Sequence, residues 1–422
     1  MVVKDNFLII DDVQISEDFM VASSQVLNYL LKRGFVKKDS ITESDFVVTD
    51  VSRRNQNFQV RSKNSRSYLL KYGGIERWKT ASVSHEAAIY RFFRQMDKTK
   101  NINNKTSSFS SKYLPDFYYY DQQERILILE LFPEAKTLRE HYIGSCRFSR
   151  ILAANIGECL GDLHQITYDT ILAQVKDKED PVISDILSEE NQLPPAVLSL
   201  HKPPSKIFLD ISNANIQLIK ILQSQKELCK FLDELYAGWR SPRSYCRCLI
   251  HSDIKSDNYL VVKQFNSPDS SNHSSSNTYK RTGYLKLIDW ELARFGDPAW
   301  DAGSVFSDYL GLWLFSLPIM SRESSPDSFL RLARYPIHKM QPAIRSYWNS
   351  YVRKMRFDVN GSNEFLVRSV RYCSAQLVRK AYEYLQRRAK ISANIVYLLQ
   401  VSLNIMKDPQ TAMTSLLGIS SC

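Results

Sequence analysis

Between Val51 and Val60 the chain Val-Ser-Arg-Arg-Asn-Gln-Asn-Phe-Gln-Val has no glycine, although it joins two strand-like runs. Cysteine pairs at metal-ligand spacing are also missing. The seven cysteines are scattered, Cys246 and Cys248 are too tightly spaced for a familiar zinc pair, and this usage fits a reducing compartment. Long apolar runs are absent too. The most apolar stretch, Leu310 to Met320, is too short to span a bilayer and reads as a buried helix capped by Pro318, or as a wall beside a substrate. The opening Met1-Val-Val-Lys-Asp-Asn-Phe carries early acids and no apolar core, unlike a signal peptide. No internal repeat is present, and no nucleic-acid motif accompanies the basic residues. The expectation is a cytoplasmic protein with neither membrane nor nucleic acid as partner.

What is there is substantial. With 422 residues, 44% of them hydrophobic, the chain can bury cores for two lobes or domains. Residues 15 to 34 read as an opening helix with Leu27, Leu30, Leu31 and Phe35 on one side. Strands then dominate to about residue 132, and helical patterning takes over from 149. The stretches 97 to 112 and 266 to 282 are polar and read as loops, and 180 to 204, rich in proline, as an irregular insertion.

The most informative segment is His251-Ser-Asp-Ile-Lys-Ser-Asp-Asn258, followed by Leu287-Ile-Asp-Trp-Glu291. Transfer of a γ-phosphoryl group passes through a loose transition state, so a protein catalyses it mostly by positioning the hydroxyl and holding magnesium against phosphate oxygens. Asp253 can orient that hydroxyl and take its proton. Asn258 can offer an amide oxygen to a metal ion, and Asp289, at the end of the apolar run Tyr284 to Ile288, can supply a carboxylate. Flanking apolar runs at Leu249-Ile250 and Tyr259 to Val262 argue against a simple surface turn. His251 reads as a packing residue of the loop, since no chemical task falls to it.

Upstream, Ser67-Tyr-Leu-Leu-Lys71-Tyr72 alternates as a half-buried strand would, placing Lys71 where an amine could grip phosphates. Glu86, on the first turns of a helical run from His85 to Phe93, can pair with it and keep it cationic. The bland alternative is a solvated lysine and a glutamate favoured by the helix dipole. In the glycine-free loop, Ser52, Asn55 and Asn57 could bond phosphates while Arg53 and Arg54 add positive charge; a solvated hairpin tip is the alternative.

On these residues the chain resembles the aminoglycoside phosphotransferase and choline kinase family, relatives of protein kinases. Cys159-Leu-Gly-Asp-Leu-His164 and Gly296-Asp-Pro-Ala-Trp-Asp-Ala-Gly303 extend the likeness over most of the sequence. The resemblance implies an α+β, bilobal protein-kinase-like fold. Residues 1–132 would form a nucleotide-binding lobe, an antiparallel sheet with one main helix, and 133–422 a larger, mostly helical catalytic and acceptor-binding lobe. It implies ATP and Mg2+ as cofactors, Asp253 as base, Asn258 and Asp289 as metal ligands, Lys71 paired to Glu86, and adenine held by backbone groups of Glu130 to Phe132. Two departures stand out: the missing glycines, and Lys255, which resembles the protein-kinase lysine that contacts the transferred phosphate, its alternative being an exposed loop charge.

The acceptor is read from charge. Net charge is +11, and residues 301 to 422 carry 16 Lys and Arg against 8 Asp and Glu. Such a lobe would repel polycationic aminoglycosides and fits an anionic small molecule or an acidic peptide. A narrower likeness, on Asp289-Trp-Glu291, Gly296 to Trp300 and Tyr309 to Phe315, is to the kinase-like component of lanthipeptide synthetases. It implies a precursor-peptide Ser or Thr as acceptor and a separate lyase as partner. The acceptor is thus expected to be a hydroxyl-bearing small molecule or a precursor peptide. A catalytically silent binding module that keeps the fold is the alternative.

Overall fold

The computed structural model of the protein describes residues 23–39, 46–52, 56–74, 77–100, 108–174, 193–205, 207, 211–240, 247–263, 283–318 and 332–420. The expected loop residues Arg53, Arg54 and Asn55, and the stretch 266 to 282, lie outside the described residues.

The first described element is helix α1 (Ser23–Lys32), within the expected opening helix, whose residues 15 to 22 lie outside the described residues. Strands β1 (Phe46–Asp50), β2 (Gln56–Ser62) and β3 (Tyr68–Tyr72) follow, then helix α2 (Arg77–Lys100), helix α3 (Phe109–Tyr113) and strands β4 (Phe117–Asp121) and β5 (Ile126–Glu130). The five strands form one antiparallel sheet in the order β1-β2-β3-β5-β4. Side chains alternate across it, as the pleat requires. Phe58, Val60, Leu70, Ile126 and Ile128 face a small core closed by Val26 and Leu30 of α1, while Leu127 and Leu129 face the main core with Val83, Ala87, Tyr90 and Phe93 of α2. Lys71 pairs with Leu127 in the ladder and so belongs to the α2 face.

Two expectations need correction here. The polar stretch 97 to 112 is not one loop, because α2 runs on to Lys100 and α3 occupies Phe109–Tyr113, capped by the Ser108 hydroxyl, which accepts from the Ser111 N–H. Its buried Phe109 and Tyr113 supply the apolar face that the surrounding Ser and Lys obscure. Glu86 is not on the first turns of its helix either. α2 starts at Arg77, so Glu86 stands roughly two and a half turns in, beyond the reach of the helix dipole.

The remainder is mainly helical. β6 (Lys136–Thr137) leads into α4 (Leu138–Ser145), closed by a capping box between Thr137 and Glu140, and then α5 (Arg150–Gln174). Within 180 to 204 the described part holds one 3-10 turn, Ala196–Ser199. Helices α6 (Asn213–Ser224) and α7 (Lys226–Arg240) precede β7 (Cys248–Ile250), β8 (Tyr259–Lys263), β9 (Gly283–Leu287) and β10 (Arg294–Gly296). Helices α8 (Pro298–Phe315), α9 (Ile337–Met355), α10 (Val359–Leu385), α11 (Ala393–Lys407) and α12 (Pro409–Ser415) complete the chain.

Close helix crossings build this part. At Gly157 of α5 a Cβ would stand 2.3 Å from the Tyr347 carbonyl of α9, and at Gly303 of α8 one would stand 2.5 Å from the Ser369 carbonyl of α10. Only glycine lets those backbones approach so closely. α8 is buried from Pro298 through Leu314, so Leu310 to Leu314 is core and not a substrate-side wall. The helix ends at Phe315 with Ser316 as its cap, two residues before Pro318. Among the described residues no helix is long and apolar enough to cross a membrane.

Candidate active site

Three strand ends meet at the site. β8 and β9 pair antiparallel with Tyr259 opposite Leu287, so Asn258, just before one strand, and Asp289, just after the other, come to the same end of the hairpin. The Ile288 N–H donates to the Asn258 carbonyl at 3.0 Å and locks that register. β7 pairs with β10, Ile250 opposite Arg294, and delivers the loop that begins at His251.

Lys71 reaches this point from the sheet. Its Nζ donates to Glu86 Oε1 at 2.9 Å and Oε2 at 2.7 Å, and to Asp289 Oδ1 at 2.8 Å. A buried amine would normally shed its charge. Burial does act that way on Lys71, but Asp289 and then Glu86 outweigh it and hold its pKa well above the usual lysine range. Glu86 lies on the buried stripe of α2, where desolvation pushes it up to about 7 against the pull of Lys71. It also accepts the Trp290 N–H at 3.3 Å, tying α2 to the turn after Asp289. Asp289 adopts a left-handed backbone with φ of 69°, a conformation aspartate tolerates better than most residues.

Asp253 sits among cations. Lys255 Nζ donates to its Oδ2 at 2.5 Å, and Arg379 Nη2 of α10 donates to its Oδ1 at 2.7 Å. Burial would raise its pKa; Arg379 first and Lys255 next hold the carboxyl well below the usual range. Asn258 Nδ2 donates to the Asp253 carbonyl at 2.9 Å and to Oδ2 at 3.1 Å. Because both partners are acceptors, the amide nitrogen must face Asp253, which leaves the Asn258 oxygen available on the other side. Asp253 is close enough to raise the cost of ionising Asp289, so the two carboxylates share one site.

His251 is an organiser, as its lack of a chemical task suggested. The Asp253 N–H donates to Nδ1 at 3.3 Å, so the proton is on Nε2, which donates to the Ile288 carbonyl at 3.0 Å. Burial lowers its pKa and keeps the ring neutral. Beneath it lies Asp301, whose carboxylate accepts the N–H groups of His251 at 2.7 Å and Ser252 at 2.9 Å. Ser252 is also left-handed, with φ of 66°, and its carbonyl is held by Trp300 Nε1 at 3.2 Å and Arg379 Nη1 at 3.0 Å. Strained backbone at two residues of one site persists only where neighbours fix it. Asp308 does the same for the far end of the loop, accepting the Ser256 N–H at 2.9 Å and Lys380 Nζ at 3.1 Å.

The expected phosphate loop is closed from within. The Asn57 N–H donates to Ser52 Oγ at 3.0 Å, the Val51 N–H to the Asn57 carbonyl at 2.9 Å, and the Ser52 N–H to Asp50 Oδ1 at 2.8 Å. Asn57 lies opposite Lys71 in the ladder. In the expected adenine segment, the Glu130 N–H donates to the Asp116 carbonyl at 2.9 Å, the Leu131 N–H to the Ser67 carbonyl at 3.2 Å, and the Phe132 carbonyl accepts from Ala135 at 3.1 Å.

Sequence reasoning missed Arg379 and Asp308, and met Asp301 only as part of the Gly296 to Gly303 segment. Asp301 and Asp308 carried one usable signal: both are acids inside an otherwise apolar helix, which demands buried partners.

No family model matches the chain, and no curated protein does. Among solved structures it is similar to a choline kinase from Cryptosporidium parvum, at 13% identity over 93% of this chain and 98% of that one, with a TM-score of 0.50. The chain has the fold of that choline kinase. A choline kinase from Streptococcus pneumoniae is 13% identical over 89% of this chain and 99% of its own, with a TM-score of 0.41. A microcompartment-associated aminopropanol kinase is 12% identical over 93% and 98%, with a TM-score of 0.45. The choline kinase fold orders the elements here: Lys71 and Glu86 come from its sheet and first long helix, and the His251 to Asn258 loop and Asp289 from the hairpins below.

Proposed function

We propose that the protein is an ATP- and magnesium-dependent phosphotransferase that moves the γ-phosphate of ATP to the hydroxyl of a small-molecule acceptor. One observation carries this reading. The amine of Lys71, held by Glu86 and Asp289 at 2.7 to 2.9 Å, belongs to the same charge cluster as the Asp253 carboxylate and the free oxygen of Asn258. A purely structural ion pair would have no need of an asparagine oxygen and a second carboxylate beside it.

The residues fit a nucleotide-borne magnesium. Among the described residues no group of three or more His, Cys, Asp or Glu could hold a metal by itself. Magnesium in such enzymes takes one or two protein oxygens and leaves the rest to phosphate and water. Asn258 and Asp289 would hold it, and the ion would neutralise charge on the phosphate oxygens. Lys71 would grip the α- and β-phosphates, with Ser52 and Asn57 at the turn above, and backbone groups from Glu130 to Phe132 would meet adenine, the Phe132 N–H being a donor for its edge.

Asp253 would accept the acceptor hydroxyl. Held so far below the usual carboxyl range, it is a weak base in the resting state, which suits a loose transition state in which the hydroxyl needs aiming before it needs deprotonating. Lys255, already on Asp253, has further N–H bonds to offer the phosphate in transfer. We take the working unit as two lobes dividing near residue 132, and the cytoplasm, where ATP is at hand and thiols such as Cys146 stay unpaired, as its compartment.

A peptide Ser or Thr is the second reading of the acceptor, supported by Arg387, Arg388 and Lys390, exposed just beyond the end of α10. The test is incubation with Mg·ATP and a panel of hydroxyl compounds and Ser/Thr peptides, read by the mass of a phosphoryl group gained on the acceptor. Transfer that disappears in Asp253→Ala supports the reading. Tight Mg·ATP binding with no acceptor modified across the panel would favour the silent binding module.

A further inference from the structure

Glu291 reaches across the site to α2. Its Oε2 accepts from Ser82 Oγ at 2.5 Å, a contact between residues 209 positions apart. The 3-10 turn that carries Glu291, Trp290–Leu292, directly follows Asp289 and closes on its own backbone, the Ala293 N–H donating to the Trp290 carbonyl at 3.1 Å. The carboxylate is therefore not needed to make the turn, and it reaches another element instead.

That element is the helix that carries Glu86. Ser82, Glu86 and Phe93 lie on one stripe of α2, with His85 next to Glu86. All four meet the same turn or the residue that ends it. Glu86 accepts the Trp290 N–H at 3.3 Å, His85 Nε2 donates to the Ala293 carbonyl at 2.6 Å, and the Phe93 ring stands edge-on to Trp290 with ring centroids 5.0 Å apart. The Ser82 bond, made to a carboxylate, anchors α2 about one turn before Glu86, ~6 Å along the helix axis. Were α2 to draw off, Lys71, which divides its bonds between Glu86 and Asp289, would be left to Asp289 alone.

We propose that Glu291, acting through Ser82, is a positioning residue: it docks α2 on the turn after Asp289 and so keeps Glu86 on Lys71 and the Lys71 amine aimed at the nucleotide phosphates. This rests on the phosphotransfer reading and adds a residue to its nucleotide side. It gives Glu291 a mechanical task, distinct from that of a metal ligand, although Glu291 follows Asp289 closely in the turn.

The experiment measures the Kd of Mg·ATP, and of ATP without magnesium, for the full chain by calorimetric titration, with Tm recorded to show that each variant is folded. Ser82→Ala and Glu291→Ala should each raise both Kd values roughly tenfold, the scale of a lost charged hydrogen bond, and the double variant should bind no more weakly than either. Glu291→Gln, whose amide oxygen can still accept the Ser82 hydroxyl, should stay within about threefold of wild type. The ratio of the two Kd values should be the same in every variant as in wild type. An unchanged Kd in Ser82→Ala, losses that add in the double variant, or a fall in Tm with ATP affinity intact would overturn the proposal. So would Glu291 variants that weaken Mg·ATP alone, Gln as much as Ala, which is the mark of a metal ligand. In all of these outcomes wild type binds Mg·ATP and phosphotransfer stands. Wild type that binds ATP neither with nor without magnesium would instead remove the phosphotransfer reading and this inference together.

Discussion

Arg379 lies 126 residues beyond Asp253 in the chain, yet its Nη2 donates to the Asp253 carboxylate at 2.7 Å. The same guanidinium holds the Ser252 carbonyl at 3.0 Å and Glu383 at 2.7 Å, so one side chain of α10 fixes both the backbone and the carboxylate of the catalytic loop. The aim of the Asp253 carboxylate, which the proposed function puts on the acceptor hydroxyl, is therefore set in part from outside the loop's own sequence.

Replacing Arg379 by Gln removes a charged hydrogen bond, commonly about 1.5–3 kcal/mol. If that orientation acts only as phosphate moves, kcat should fall roughly ten- to hundredfold. Mg·ATP affinity, which the proposed function assigns to the Lys71 side of the site, should stay within about twofold. Steady-state kinetics beside direct nucleotide binding checks this, and an unchanged kcat would count against the arrangement.

Asp253→Ala should cut phosphate transfer by ~100- to 10,000-fold, the usual range for a lost acid–base group. Nucleotide should still bind, because Lys71 keeps its bonds to Glu86 and Asp289, and Asn258, though it loses the Asp253 carboxylate, keeps the Asp253 carbonyl. Turnover equal to wild type would take Asp253 out of the mechanism.

Lys71→Ala leaves Glu86 and Asp289 without their shared cation in a buried site. Breaking such a pair typically costs about 3–5 kcal/mol, softened here by the partial exposure of Asp289. The variant should unfold at lower denaturant and bind Mg·ATP weakly, whereas Asp289→Ala should chiefly abolish the difference between ATP binding with and without magnesium. Denaturant melts and binding titrations separate the two.

Asp301→Ala is expected to be the most damaging change distant from substrate. It strips acceptors from two buried N–H groups and from the neighbourhood of His164, whose Nε2 lies 3.4 Å away. Buried donors left unsatisfied cost about 1–3 kcal/mol each. A marked fall in Tm together with loss of kcat is the expected result, and a stable, fully active variant would show that the loop holds its shape unaided.

Acid should loosen α1 before the rest. Asp121 of β4 accepts from Tyr29 at 2.9 Å and forms an ion pair with Arg33, both at the α1 end of the sheet. Burial alone would raise its pKa, but the Glu124 N–H, Tyr29 and Arg33 together lower it. A depressed carboxyl contributes stability that is complete above its unfolded value, about 3.9, and is lost as pH falls through the lower folded value. Hydrogen exchange of α1 amides should therefore quicken below roughly pH 4 in wild type. In Asp121→Asn it should already be fast at neutral pH and change little on acidification.

Much of the site was legible because it is local. Lys71 on an alternating strand, the spacing from Asp253 to Asn258 and the strand-end Asp289 are each set by a few consecutive residues, and Glu86 reveals itself as an acid on an apolar helical stripe. Arg379 was not legible, since on α10 it looks like one more charge on a helix already carrying Arg368, Arg371 and Lys380. Arg294 follows Asp289 by five residues and would pass for a solvated loop charge. Its place beside the start of the His251 loop emerges only when β7 and β10 pair.

The amino-acid order alone settled which groups this protein can bring to the candidate site and on what local frames, because pleat and loop spacing are short-range properties of the backbone. The folded structure decided the charge state and aim of those groups. Coulomb forces and desolvation depend on separation through space, and of the two cations on the Asp253 carboxylate one, Arg379, comes from 126 positions away.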